Sequence, residues 1–357
     1  MKAVDLLARK LGEIVGREYC IVTASGTVAL IVSLRALGVS ERDEVILPSI
    51  VCPSVLVAVL ATGSAPVFCD VSHCNLNAGC GSVRAVITAR TRVVIAVHSF
   101  GEPCEIDPIC SLARQHGCIV VEDFAQGFGK EVGGRPLGSS GFVSITSFGR
   151  EKLLDAGFGG ALFTDDAALY RESLRVLESM KGGKPPLGCP LCRRLCLACI
   201  SLFRGPTLRR RLTRQVARCW EPPSTLSFRT CETEQILDLL KRKEEYFEAR
   251  RARLREVLRA TRHLPGLNVL AKDGSVLTMA TFVLPRRPAL LRRLLARSNG
   301  LFFLYPALDV VYDGPNLPWS TRLDGRLANI SLSPRRDNRY LVSAISALLS
   351  CIEALDV

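Results

Sequence analysis

Lysine is scarce in this chain: nine of the 47 basic residues are lysine, so arginine carries most of the formal charge of +13. A lysine set among glycines and hydroxyls therefore stands out from its background. Aromatic residues make up only 6% of the sequence and histidine occurs four times. No basic run is interleaved with aromatics and no zinc-finger spacing appears, which argues against a nucleic-acid-binding protein. Charge is missing altogether between Val45 and Cys69. That length of apolar chain suffices for a membrane span, but Pro48, Pro53, Gly63 and Pro66 divide it into strand, loop, helix and strand, as in a soluble protein. No internal repeat is found. No signal peptide opens the sequence, and the 15 cysteines are odd in number and spread over a long chain. These features fit a reduced, cytoplasmic interior better than a secreted disulfide framework.

What is present has the composition of a globular protein, 48% apolar and 23% charged over 357 residues, long enough for one large core and a smaller domain. Short apolar runs at Tyr19 to Thr23, Glu44 to Leu47, Pro66 to Val71, Arg92 to Val97 and Cys118 to Glu122 alternate with helical patterns. This rhythm predicts an α/β fold with a mainly parallel central sheet and helices on both faces. Thr27 to Leu37 reads as the helix after a Ser25-Gly26-Thr27 turn, its first N–H groups available to an anion. Phe142 to Phe148 and Gly160 to Thr164 read as further strands. Glu232 to Arg262 reads as one long helix whose Lys241, Arg242, Lys243, Arg250, Arg251 and Arg253 form a solvated face. Thr278 to Leu284 and Leu327 to Leu332 read as strands and Leu341 to Leu355 as a closing helix. The expected division is a large domain over 1–230 and a smaller C-terminal α/β domain over 231–357.

The chemistry concentrates in Ser147-Phe148-Gly149-Arg150-Glu151-Lys152, followed by Gly157-Phe158-Gly159-Gly160 and preceded by a strand ending in Val121-Glu122-Asp123. A lysine that can lose its proton, an acid at a strand end and a hydroxyl near a glycine-rich turn are what pyridoxal phosphate requires. The amine can form a Schiff base with the cofactor aldehyde, and the acid can keep the pyridine nitrogen protonated. With Ser25-Gly26-Thr27-Val28-Ala29-Leu30, Asp43-Glu44-Val45-Ile46-Leu47-Pro48 and Glu122-Asp123-Phe124-Ala125-Gln126-Gly127, the order and spacing resemble the DegT/StrS family of pyridoxal-phosphate sugar aminotransferases. Each motif alone is weak, and four in order are specific.

The resemblance implies a fold-type-I enzyme acting as a homodimer on a nucleotide-linked keto-sugar, with glutamate as donor. It assigns Lys152 to the Schiff base and proton transfer, Asp123 to the pyridine nitrogen, Gln126 to the cofactor edge near its phenolic oxygen, and Gly26, Thr27 and Ser147 to the phosphate. Cys52 stands where relatives commonly place an aromatic over the cofactor ring. Ser227 stands for an Asn that reaches the partner subunit's cofactor phosphate, with Arg229 as a substrate-binding or ion-pairing arginine. His98, at a strand end in a Val-His-x-x-Gly context, is expected to line the pocket. The smaller domain, around Tyr305-Pro306, is expected to select the substrate.

A segment at about 185–218 is longer than the family leads us to expect. Cys189, Cys192, Cys196 and Cys199 have the spacing of a zinc or iron-sulfur site, but the three-residue gap between the pairs favours packing as small apolar residues and no metal. Its apolar run and Arg204, Arg209, Arg210, Arg211, Arg214 and Arg218 suit either a solvated helix face or peripheral contact with an anionic membrane. Two rival functions remain: a related enzyme acting on a cyclitol, and a non-catalytic binding or assembly protein that keeps the fold, which Cys52 and Ser227 would suit.

Overall fold

The computed structural model describes residues 2–180, 230–263, 268–271, 274–284, 302–303, 317–323 and 326–353. The first half builds a seven-stranded sheet from β1 (Tyr19–Thr23), β2 (Glu44–Pro48), β3 (Ala65–Cys69), β4 (Thr91–Val97), β5 (Ile119–Asp123), β8 (Val143–Ser147) and β9 (Gly160–Thr164). A short hairpin, β6 (Glu131–Val132) and β7 (Arg135–Pro136), lies between β5 and β8. The order is β1-β9-β8-β5-β4-β2-β3. Strands β3, β2, β4, β5 and β8 are parallel, while β9 runs antiparallel to both β8 and β1. Two reversals restore direction, so β1 points the same way as β8. The C-terminal ends of β1, β2, β5 and β8 therefore share one edge with the N-terminal end of β9.

Alternation along each strand splits the core into two layers. Val93, Ile95 and Val97 face the helices Gly26–Ala36 and Pro53–Leu60, while Val94 and Ala96 face the helix Ile106–Gln115. The charge-free stretch from Val45 to Cys69 is β2, the helix Pro53–Leu60 and β3, and β2 is buried along its whole length. Covering on both faces, not a bilayer, explains its composition. Among the described residues, no helix is long and apolar enough to cross a membrane.

The second sheet is antiparallel, in the order β10 (Asn268–Val269), β11 (Met279–Val283), β13 (Leu327–Ser331) and β12 (Phe302–Phe303). The helices Lys243–Thr261 and Asn338–Glu353 pack against it through Leu254, Val257, Leu341 and Leu348. The expected single helix from 232 to 262 is two, Thr230–Lys241 and Lys243–Thr261, broken at Arg242. The break lets each half serve a different core: Ile236 and Leu239 pack with Leu7 and Leu11 beside the large sheet, and Leu254 and Val257 pack on the small one. Arg250 is not on a solvated face. It is completely buried on the stripe Phe247, Arg250, Leu254, Val257 and Thr261.

Candidate active site

The shared edge of the large sheet opens into a cavity of about 270 Å³ lined by Gly26, Thr27, Cys52, Asp123, Gln126, Ser147 and Lys152, with Arg150, Glu151 and Met279 among its other walls. These residues come from the C-terminal ends of β1, β2, β5 and β8, as expected where parallel strands end in an open sheet, with Met279 added from β11. The turn after β1 begins a helix: the Ser25 hydroxyl caps it by accepting from the Val28 N–H at 3.3 Å. The N–H groups of Gly26 and Thr27 belong to the first turn, which has no intrahelical acceptors. Glycine is required here by contact. A Cβ on Gly26 would stand 2.8 Å from Ser147 Cβ and 3.1 Å from the Thr146 carbonyl oxygen, and one on Gly160 would stand 2.4 Å from the Gly26 nitrogen.

Asp123 ends β5 and is 6% exposed. Its Oδ1 accepts from the Ala125 N–H at 2.9 Å. Burial raises its pKa, and the Ala125 N–H and the Lys152 charge pull it partly back. The buried Gln126 amide is oriented from the small sheet, its Oε1 accepting from Thr278 Oγ1 at 3.0 Å. Ser147 Oγ accepts from the Gly149 N–H at 3.2 Å, which helps close the turn that presents Lys152. Cys52 sits at the start of the helix Pro53–Leu60 with its Sγ 2.8 Å from Ser54 Oγ.

Lys152 is half-buried and follows Glu151, a non-glycine residue at φ 67°. Such backbone costs energy and persists where its surroundings hold it. The hold is visible: the Glu151 N–H donates to Asp155 Oδ2 at 2.8 Å, and its carboxylate accepts from Ser331 Oγ and from Arg336 Nε at 2.8 Å. Arg250 donates to the carbonyls of Lys152 and Leu153 from behind. Burial draws the Arg250 pKa down to about 10, with Glu151 and Asp155 acting the other way, so it stays charged at neutral pH.

His98 is not brought to the cavity. Val97 lines the cavity, so its chain neighbour turns away, as does Glu122 beside Asp123. His98 is completely buried, with Nε2 3.0 Å from Glu122 Oε1 and Nδ1 accepting from the Cys104 N–H at 3.0 Å. Glu122 also accepts from the N–H groups of Gly138, Ser140 and Gly141, so the pair organises the turn before β8. Ser227, Arg229, the cysteines 189 to 199, the basic segment 185–218 and Tyr305-Pro306 lie outside the described residues. Among the described residues, no group of three or more His, Cys, Asp or Glu is placed to hold a metal ion. Sequence reasoning missed Arg250 and Thr278. For Arg250 the signal was present in its heptad position on the apolar stripe.

The model of the DegT/DnrJ/EryC1/StrS aminotransferase family matches residues 2–184. The chain belongs to this family. GDP-perosamine synthase of Escherichia coli O157:H7 is 35% identical over 157 residues, 44% of this chain and 43% of that protein. L-glutamine:scyllo-inosose aminotransferase of Streptomyces griseus is 37% identical over 163 residues, 45% of this chain and 38% of that protein. The chain thus spans less than half the length of these relatives in sequence. The crystal structure of S. venezuelae DesV matches with a TM-score of 0.73 at 25% identity, covering 99% of this chain and 90% of that one. Within this DegT-family fold the central sheet is the fold-type-I arrangement.

Proposed function

We propose that the chain is a pyridoxal-phosphate-dependent aminotransferase that transfers an amino group, with glutamate as donor, to a keto-sugar carried on a nucleotide. The observation that carries this reading is the single cavity into which Lys152, Asp123, Ser147 and the Gly26-Thr27 turn all open. The residues fit the cofactor. The missing Cβ atoms of Gly26 and Gly160 let the first turn of the helix pack directly onto β8 and β9, so its free N–H groups stand at the cavity with the Ser147 hydroxyl alongside.

When bound, the cofactor supplies an electron sink for negative charge developing at the substrate carbon. The chain supplies the rest. Gly26, Thr27 and Ser147 hold the phosphate. Asp123, whose burial favours its neutral form, would be held ionised by a cationic ring nitrogen, since a nearby opposite charge favours the charged form. Gln126, with Oε1 engaged by Thr278, presents its amide donor to an acceptor on the cofactor edge. Lys152 would hold the cofactor aldehyde through its amine, with loss of water, and would move protons as general acid and base. Cys52 packs as a small polarizable group in place of an aromatic ring. Arginine-rich composition suits a diphosphate-bearing substrate. The active unit is a homodimer to which Ser227 and Arg229 contribute, and the smaller domain from residue 231 selects the sugar.

Recombinant protein should be yellow, with a visible band that borohydride removes, and Lys152→Ala should lose the covalent adduct. A panel of nucleotide-linked amino sugars, run in reverse with 2-oxoglutarate, should shift the protein between its two cofactor forms. Likeness to the S. griseus cyclitol enzyme favours a second substrate class, so amino-cyclitols belong in the same panel. A colourless protein that binds no added cofactor would refute the enzymatic reading in favour of a binding or assembly role.

A further inference from the structure

Four carbonyl groups converge on one guanidinium behind the cavity. Arg250 Nη2 donates to the Lys152 carbonyl, Nε to Leu153 at 3.3 Å, and Nη1 to Leu277 at 3.3 Å and Thr278 at 3.1 Å. Neither Arg250 nor Thr278 lines the cavity, and both are completely buried. The Thr278 hydroxyl continues the path to Gln126 Oε1. Lys152 and Gln126, two walls of the cavity, are therefore joined through two residues that do not line it.

This connection is costly to build. The stripe that Phe247, Leu254 and Val257 form would continue with leucine at position 250 and no buried charge, and apolar replacements of buried ions are often neutral or stabilising. Leucine could not hold four carbonyls, two from the lysine loop and two from the segment leading into β11. Arginine can, because its planar fork offers five donors in fixed directions. Glu151 adds a second tie from the same loop to the small sheet through Ser331 and Arg336.

We propose that Arg250 and Thr278 are positioning residues through which the small sheet sets the backbone of Lys152 and the orientation of the Gln126 amide, completing the cofactor pocket only when the two sheets are docked. The inference rests on the pyridoxal-phosphate reading above. With the Thr278 hydroxyl on Oε1, the Gln126 NH₂ is the group left for the cavity. Without it the amide loses this anchor.

The test uses the full-length protein with pyridoxal phosphate and the variants Thr278→Val, which keeps shape and loses the hydroxyl, and Arg250→Lys, which keeps charge and loses the fork. Thr278→Val should weaken cofactor affinity by about fivefold, the effect of one lost hydrogen bond. It should also raise the pH midpoint of the bound cofactor's visible band, since losing a donor disfavours an ionised acceptor. Arg250→Lys should move both quantities and release cofactor faster. A midpoint shift supports positioning whatever the melting temperature does. Lower melting temperatures with the wild-type midpoint, or a Thr278→Val protein matching wild type in affinity and midpoint, would overturn the inference. If wild type forms no borohydride-trapped adduct at Lys152, the functional reading fails and the inference falls with it. If wild type does and the variants match it, only the inference fails.

Discussion

Replacing Gly26 by alanine tests, with a single methyl group, the close packing that presents the first-turn N–H groups to the cavity. The added carbon would lie 2.8 Å from Ser147 Cβ and 3.1 Å from the Thr146 carbonyl oxygen, against ordinary carbon contacts of about 3.5–4.0 Å. Neither neighbour is the flexible end of a long side chain: both belong to β8, which is hydrogen-bonded on each side. The same sheet confines the turn a second time, because Gly160, the partner of Ser147 on β9, approaches the Gly26 nitrogen so closely that its own Cβ would stand 2.4 Å away. Overpacking of this kind costs about 1–3 kcal/mol. The displaced groups are the first-turn N–H donors and Ser147, so on the proposed reading two or three phosphate contacts would loosen together. Charge-assisted contacts contribute about 1.5–3 kcal/mol each, so losing one weakens pyridoxal phosphate binding by roughly ten- to a hundredfold. Pyridoxal, which lacks the phosphate, should bind the variant almost as it binds wild type. Parallel titrations of both vitamers, followed by fluorescence quenching, make the comparison. Equal losses for the two, or pyridoxal phosphate affinity within a factor of two of wild type, would refute a phosphate-holding role for this turn.

Lys152→Ala should retain the fold and bind pyridoxal phosphate reversibly, without the borohydride-trapped lysine adduct that peptide mass spectrometry would find in wild type. Asp123→Asn should raise the melting temperature of the cofactor-free protein while weakening cofactor binding. Burial raises the Asp123 pKa, so its contribution to stability is present below the unfolded carboxyl value and is lost as pH rises through the folded value. The stabilisation by asparagine should accordingly be larger at pH 8 than at pH 4, and a cofactor-free variant less stable than wild type at pH 8 would contradict this. His98→Ala removes a completely buried hydrogen-bond partner of Glu122, at a cost of about 1–3 kcal/mol. Denaturant titration should register that loss, and the folded fraction should keep near-normal cofactor affinity, since His98 does not line the cavity.

The sequence alone carried the elements of the large sheet and the order of the motifs at its edge. Runs such as Arg92 to Val97 read as strands because burial on both faces leaves little room for polar residues, and β4 occupies Thr91–Val97. The glycines flanking Ser25 and Lys152 were equally legible, because backbone contact excludes side chains wherever the loops meet. Tertiary structure decided what periodicity cannot encode. The apolar stripe of Phe247, Leu254 and Val257 marks position 250 as inward-facing, but what a charge there would meet is decided only when a loop 97 residues earlier in the chain and the small sheet are both in place. His98 reads as a pocket residue until strand alternation fixes Val97 toward the cavity and turns its neighbour to Glu122. Local sequence sets which residues form a strand or a turn. The docking of two sheets, through contacts far apart in the chain, sets which of their side chains share the cavity.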